Sequence, residues 1–234
     1  KLVATALRKD LTARSFILCF LGGDTYGFVH RTFLEYFCAT DFVWQFEKER
    51  KIDLEYLKNQ VFGEHWQEES WHEVLRLIAG SINELFTGEI IQYLMSQNGE
   101  AEKFSNLFLA AQCLDEVKNR NDIAAVSAQL LVCLKKLTQS ADDSDVRSAA
   151  VQELVWGWKD EPGIFELLCD IAINDPFDRK YYFQHSHRRV ALAAIIELYA
   201  DRPETLELVR DRAQNDRDPK LREFAQQKLA ELEG

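Results

Sequence analysis

Val146-Arg147-Ser148-Ala149-Ala150-Val151-Gln152-Glu153-Leu154 recurs 44 residues later as Val190-Ala191-Leu192-Ala193-Ala194-Ile195-Ile196-Glu197-Leu198. A third copy, Leu221-Arg222-Glu223-Phe224-Ala225-Gln226-Gln227-Lys228-Leu229, follows after a further 31 residues. In each copy the apolar residues fall three and four apart, the spacing of one face of an α-helix. Ala149, Ala150, Ala193 and Ala194 are small enough to let a neighbouring helix approach closely. Between the copies, Asp160-Glu161-Pro162 matches Asp201-Arg202-Pro203, and Asn174-Asp175 matches Asn215-Asp216. A unit of two short helices cannot bury its own apolar face. Repetition at roughly 30 to 45 residues therefore predicts stacked helix pairs, an α-solenoid.

Working outward toward the N-terminus, 104–117 and 123–137 form one more helix pair. Before them the texture changes. The stretch 96–101, with Asn98-Gly99, is the best linker candidate, which divides the chain into 1–100 and 101–234. Within the first part, 71–86 is predicted as one helix with Val74, Leu75, Ile78 and Ile82 on one face, separated by Gly88 from a segment over 89–95. Residues 52–62 are amphipathic. Two apolar runs, 15–21 and 26–30, flank Gly22-Gly23-Asp24-Thr25 and predict a β-hairpin. Thr32, with Glu35 three residues on, predicts a capping box at the start of a helix. That helix carries Phe33, Leu34, Phe37, Cys38, Phe42 and Trp44, too many apolar positions for one stripe, so burial on more than one side is expected.

Composition sets the outer limits. Of 234 residues, 47% are hydrophobic, enough for a core, and only 10 are Gly and 4 Pro, which disfavours a turn-rich β-sandwich or barrel. The net charge of −11 makes general polyanion binding a poor expectation. No run of about 18 apolar residues suggests a membrane span, and no signal peptide opens the chain. A cytoplasmic protein is expected. The five cysteines, Cys19, Cys38, Cys113, Cys133 and Cys169, are odd in number and widely spaced, which predicts buried reduced thiols. Lys1 is not a start methionine and 1–14 is already amphipathic, so the chain is expected to begin inside a larger protein.

The repeats resemble short HEAT-like repeats, including an Asp-x-x-Val-Arg opening at Asp143 to Arg147. The hairpin and capped helix carry a second resemblance. Tyr26-Gly27-Phe28-Val29-His30-Arg31-Thr32-Phe33-Leu34-Glu35-Tyr36-Phe37-Cys38-Ala39 is similar to the segment that closes the winged-helix region of NACHT-type NTPases, members of the STAND class of signalling ATPases. Trp71-His72-Glu73-Val74-Leu75-Arg76-Leu77-Ile78-Ala79-Gly80 resembles the helix that follows in bacterial members. The likeness covers about residues 11 to 100. It implies a module end at 1–100 and a HEAT-like sensor at 101–234, belonging to a parent that binds ATP or ADP with Mg and serves in anti-phage defence. It also implies that His30 lies against the ADP phosphates and latches the closed state. On the residues alone, His30 reads first as a structural residue ending a hairpin strand, and the resemblance is what favours the latch. The phosphate-binding loop and the Walker B strand are absent, so the chain is not expected to hydrolyse ATP by itself or to hold a cofactor of its own.

Residues 176–189 read as a loop inserted between repeats, the most basic and aromatic stretch of an acidic chain. Arg179, Lys180, Tyr181, Tyr182, His185, His187, Arg188 and Arg189 are its partner-binding candidates, with a weaker nucleic-acid reading and a plain packed loop as alternatives. His185 and His187 with Cys169 lack the paired spacing of a zinc site, so no metal is expected. Trp66, Trp71, Trp156 and Trp158 are expected to pack at helix ends. No nucleophile sits in a recognisable elbow and no catalytic residue is assigned. The function expected is the regulatory and sensor portion of a nucleotide-gated switch, contacting an upstream NTPase domain, a protein or ligand partner and, when active, further copies of itself. The alternative is a nucleotide-independent repeat scaffold.

Overall fold

The computed structural model describes residues 11–12, 17–23, 25–176 and 186–233. These are mainly helical, with a small antiparallel sheet near the N-terminal end. Strands β1 (Leu18–Gly22) and β2 (Thr25–Phe28) pair with Leu18 opposite Phe28 and Phe20 opposite Tyr26. Gly22 and Gly23 take φ of +113° and +60°, a region glycine enters without the steric cost a Cβ imposes, and the chain reverses there as the sequence predicts.

Helix α1 (Arg31–Glu47) follows at once. Its N-cap is His30, not Thr32, and no side chain caps it. The expected capping box is not formed, because Thr32 already lies inside the first turn and Glu35 is taken by Arg31, whose Nε is 2.6 Å from Glu35 Oε1. The expectation that α1 is buried on several sides also fails. Among its residues only Ala39 is buried; Cys38, Phe42, Val43 and Phe46 pack partly against the core, and Leu34, Tyr36, Phe37 and Trp44 face outward.

Helix α2 spans 54–65. It opens with Asp53 Oδ1 accepting from Tyr56 N at 2.8 Å and contains a π-helical turn, Leu57–Phe62, that seats Leu57, Val61 and Phe62 in the core. The predicted helix over 71–86 is two helices, α3 (His72–Ser81) and α4 (Glu84–Ser96). Asn83 makes the break, its Oδ1 accepting from Leu85 N at 3.1 Å. Gly88 does not interrupt α4; a Cβ there would come within 2.8 Å of Ile123 Cγ2, so the glycine permits a close crossing.

Beyond it run α5 (Ser105–Asp115), α6 (Ala124–Ser140), α7 (Ser144–Trp158), α8 (Ile164–Asn174), α9 (His187–Leu198), α10 (Pro203–Asn215) and α11 (Pro219–Glu233). Helices α4 and α5, α6 and α7, α8 and α9, and α10 and α11 pack as consecutive pairs. The second members touch in succession, α5 on α7, α7 on α9 and α9 on α11, and α3 and α1 extend that row at its N-terminal end. The three sequence copies are thus α7, α9 and α11, the helices of one row. One cluster of buried residues runs from Ala39 to Ala225. The division at residue 100 marks a change of sequence texture inside a continuous core.

Asn106 ties the two parts together. It is 2% exposed, and its Nδ2 donates to Leu94 O at 2.9 Å and Gln97 O at 3.1 Å at the end of α4, where Leu94 O also accepts from Gln97 N at 3.1 Å. Asn106→Ala removes both of these bonds across the junction and is expected to lower stability by about 2 kcal/mol in urea unfolding. A change of midpoint too small to measure would remove the junction role.

Candidate functional site

The face built by the hairpin and α1 combines exposed aromatics with the motif histidine. Phe20 and Leu21 on β1 are 61% and 65% exposed, and Leu34, Tyr36 and Trp44 on α1 are each more than half exposed. Phe20 packs at a tilt against Tyr26 with ring centroids 5.4 Å apart, and Phe28 stacks on Phe37 at 5.8 Å, so aromatic contacts run within the hairpin and from β2 to α1. Such a density of large apolar groups in water is characteristic of an interaction surface. Arg31 fixes the face to the rest of the fold: besides Glu35 it bonds Ser70 O through NH2 at 2.6 Å, holding the start of α1 against the segment that leads into α3.

His30 stands at the edge of this face, where β2 gives way to α1. It is exposed, in extended conformation at φ −125° and ψ 140°, and its ring lies 6.2 Å from that of Phe33. No hydrogen bond to its ring nitrogens is made within the described residues. The start of α1 beside it carries free backbone N–H groups and the positive end of a helix dipole. An anionic phosphate fits an imidazole N–H next to a helix N-terminus. A single histidine does not enclose a nucleotide.

The second sequence candidate, 176–189, divides in two. Phe177 to His185 lie outside the described residues, so Arg179, Lys180, Tyr181, Tyr182 and His185 receive no structural account. His187, Arg188 and Arg189 do not belong to a loop: they open α9. His187 and Arg188 are buried, at 0% and 1% exposure, and are not available to a partner. They are interior because each meets an aspartate between helix pairs. Asp175, after α8, has Oδ2 3.2 Å from both Arg147 Nε on α7 and His187 Nδ1 on α9. Asp216, after α10, has Oδ1 3.2 Å from Arg188 NH2 and Oδ2 3.4 Å from Arg212 NH1. Successive pairs are therefore joined by aspartate–arginine rungs. Burial lowers the His187 pKa to about 4, against the opposing pull of Asp175 and with help from the Arg147 charge; its Nε2 has no hydrogen-bond partner among the described residues. Arg189 stays half-exposed, its guanidinium 4.7 Å above the Phe224 ring.

The aspartates of these rungs carry no role in the motif reading. Their signal in the sequence is the matched pairs Asn174-Asp175 and Asn215-Asp216, a repeat of polar residues at a place where an irregular loop would not preserve them. Trp158 packs as expected, donating from Nε1 to Ser127 Oγ at 3.2 Å, but Trp156 is 78% exposed. Cys113 is buried, the other four cysteines are half-buried and none is paired; burial pushes the Cys38, Cys113 and Cys169 thiols up, away from reactive thiolate. No helix among the described residues is long and apolar enough to cross a membrane. Compared with known proteins, the chain matches no family model, no curated protein and no solved structure.

Proposed function

We propose that the chain is the C-terminal regulatory portion of a NACHT-type signalling NTPase acting in anti-phage defence. Residues 1–100 end its winged-helix module, and 101–234 form an α-solenoid of HEAT-like repeats that senses a partner. The observation that carries this reading is the aromatic face of the hairpin and α1 with exposed His30 at its rim. A module that ends a nucleotide-gated unit needs both an apolar surface to dock on the NTPase domain and a donor at the phosphate. The parent's NTPase domain supplies ATP or ADP with Mg and any hydrolysis. The repeat row supplies a surface whose occupation favours the open, oligomerising state, because a partner that binds one state better shifts the balance toward it.

The test is ADP release from the intact parent. A hydrogen bond from His30 to a charged phosphate is worth a factor of about ten in affinity, so His30→Ala is expected to speed ADP release roughly tenfold. An unchanged off-rate removes the latch. The second reading, a HEAT-repeat scaffold indifferent to nucleotide, draws on the aspartate–arginine rungs, which stiffen the row without reference to any ligand. A parent that retains no ADP would leave that reading in place.

A further inference from the structure

The row of helices α5, α7, α9 and α11 carries a trough that none of the roles above uses. Its middle is a groove of about 860 Å³ between α7 and α9, floored by Val151, Val155, Val190 and Ala194, with Trp156 as one wall. The groove does not end there. Gln152 and Trp156 also line a depression of about 430 Å³ that reaches Arg76 and Gln112, and Ala193 and Glu197 line one of about 350 Å³ that reaches Phe224 and Lys228. The three share walls and cross the row from α5 to α11. With neighbouring helix axes about 9 Å apart, three steps span about 27 Å. That length suits roughly eight residues of extended polypeptide at about 3.3 Å each, and exceeds a small molecule.

Charge narrows the occupant. At the α5 end the carboxylates are engaged: Glu116 pairs with Arg76 at 2.6 Å, Asp115 with Arg120 at 2.5 Å, and Glu153 accepts from Gln112 at 3.1 Å. At the α11 end Lys228 is held by Glu231 at 2.6 Å. The middle differs. Lys159 and Arg189 line the groove and have no carboxylate partner among the described residues, against the single carboxylate of Glu197. A surplus of positive charge above an apolar floor, in a chain of net charge −11, is complementary to carboxylates flanking an apolar anchor. The engaged carboxylates beside it disfavour a nucleic-acid backbone.

We propose that this trough binds an extended acidic segment of a protein partner, with one large apolar side chain seated against Trp156 and carboxylates paired to Lys159 and Arg189. This deepens the sensing part of the function proposed above and rests on it for expecting a protein partner. Its test uses no nucleotide, so ADP retention and trough binding fail independently.

The probe is a displayed library of random peptides about ten residues long, selected on the full chain, with the enriched peptide then synthesised and followed by fluorescence polarisation. Enrichment of a Trp, Phe or Leu anchor beside at least two carboxylates is expected. Trp156→Ala and Lys159→Glu should each weaken the enriched peptide about tenfold or more, as losing an anchor or a paired charge does. Both residues are on the surface, so the variants should keep the parent's circular dichroism and melting temperature; Lys136→Glu, exposed on α6, is the control and should bind as the parent does. Failure to enrich any peptide, a neutral or basic consensus, or equal binding by Trp156→Ala and Lys159→Glu would overturn the proposal. Self-association of the chain that Trp156→Ala abolishes would overturn it too, by assigning the trough to a second copy.

Discussion

Asp216→Ala is expected to lower the unfolding free energy by about 3 to 5 kcal/mol, the range for removing one partner of a buried ion pair. Asp216 is 1% exposed. Its carboxylate faces Arg188 and Arg212 and accepts from Asp218 N at 2.8 Å, and its carbonyl accepts from Arg222 NH1 at 2.5 Å. Arg188 is the costly residue. It is among the largest fully buried side chains, its Nε and NH2 make no well-aligned hydrogen bond among the described residues, and burial pulls its pKa down. The Asp216 charge is the main offset to the desolvation of that guanidinium, with Asp218 and Asp175 adding weaker attraction; with alanine in its place the buried positive charge loses its nearest counter-charge. Arg188→Met should cost much less, because Asp216 keeps Arg212. Combining the two changes should therefore recover most of the loss, a strongly non-additive cycle. Denaturant midpoints of the four proteins give the answer. A single Asp216→Ala variant within about 1 kcal/mol of the parent, or strictly additive losses, would remove the rung as a support between the last two helix pairs.

Such rungs explain which parts of the architecture could be seen in the sequence. The helix row was legible because its members repeat: the copies at 146, 190 and 221 carry the same apolar spacing, and a repeat is visible without knowing what it packs against. The hairpin was legible from Gly22-Gly23 between two apolar runs. The failures have a common cause, since each required knowledge of a neighbour. Thr32 and Glu35 have capping-box spacing, but the helix starts two residues earlier and Arg31 takes the carboxylate. Gly88 looks like a break, yet the break is at Asn83, and the glycine answers to Ile123 across a helix crossing. The aromatic composition of α1 predicts burial, yet Tyr36, Phe37 and Trp44 face outward, so α1 records a surface that the described residues leave uncovered.

The same limit shaped the reading of candidate sites. His187 and Arg188 follow a basic, aromatic stretch, and in sequence they are indistinguishable from Arg189; only helix α9 and the two aspartates decide that the first pair turns inward. Arg189 and Lys159 look like ordinary solvated charges until the groove between α7 and α9 brings them over one apolar floor. Trp156 and Trp158, two residues apart on a helix, point to different sides, and which side is interior depends on where α6 lies.

Acid should weaken the fold through His187, and the sign of the effect distinguishes two states of its rung. The folded pKa is depressed below the ordinary value of 6.5 to about 4, so between those values the unfolded chain binds a proton that the folded chain refuses. Stability then falls as pH falls, by up to about 1.4 kcal/mol per pH unit and about 3 kcal/mol in all, and above pH 6.5 the contribution vanishes. Carboxylates elsewhere also titrate at low pH, so the informative quantity is the difference between the parent and His187→Gln, whose amide can still donate to Asp175. The parent should lose stability relative to the variant from about pH 6.5 downward, read from urea midpoints at closely spaced pH values. Because slopes are compared, a constant offset from imperfect packing of the glutamine does not matter. Parallel curves would mean that His187 titrates alike in both states. A parent that gains on the variant as pH falls would mean the imidazolium is the folded form, paired with Asp175 and outweighing Arg147. The fully buried ring, with Arg147 already opposite the same carboxylate oxygen and Nε2 without an acceptor among the described residues, favours the first outcome: a second positive charge would enter a site where Arg147 already matches the Asp175 charge.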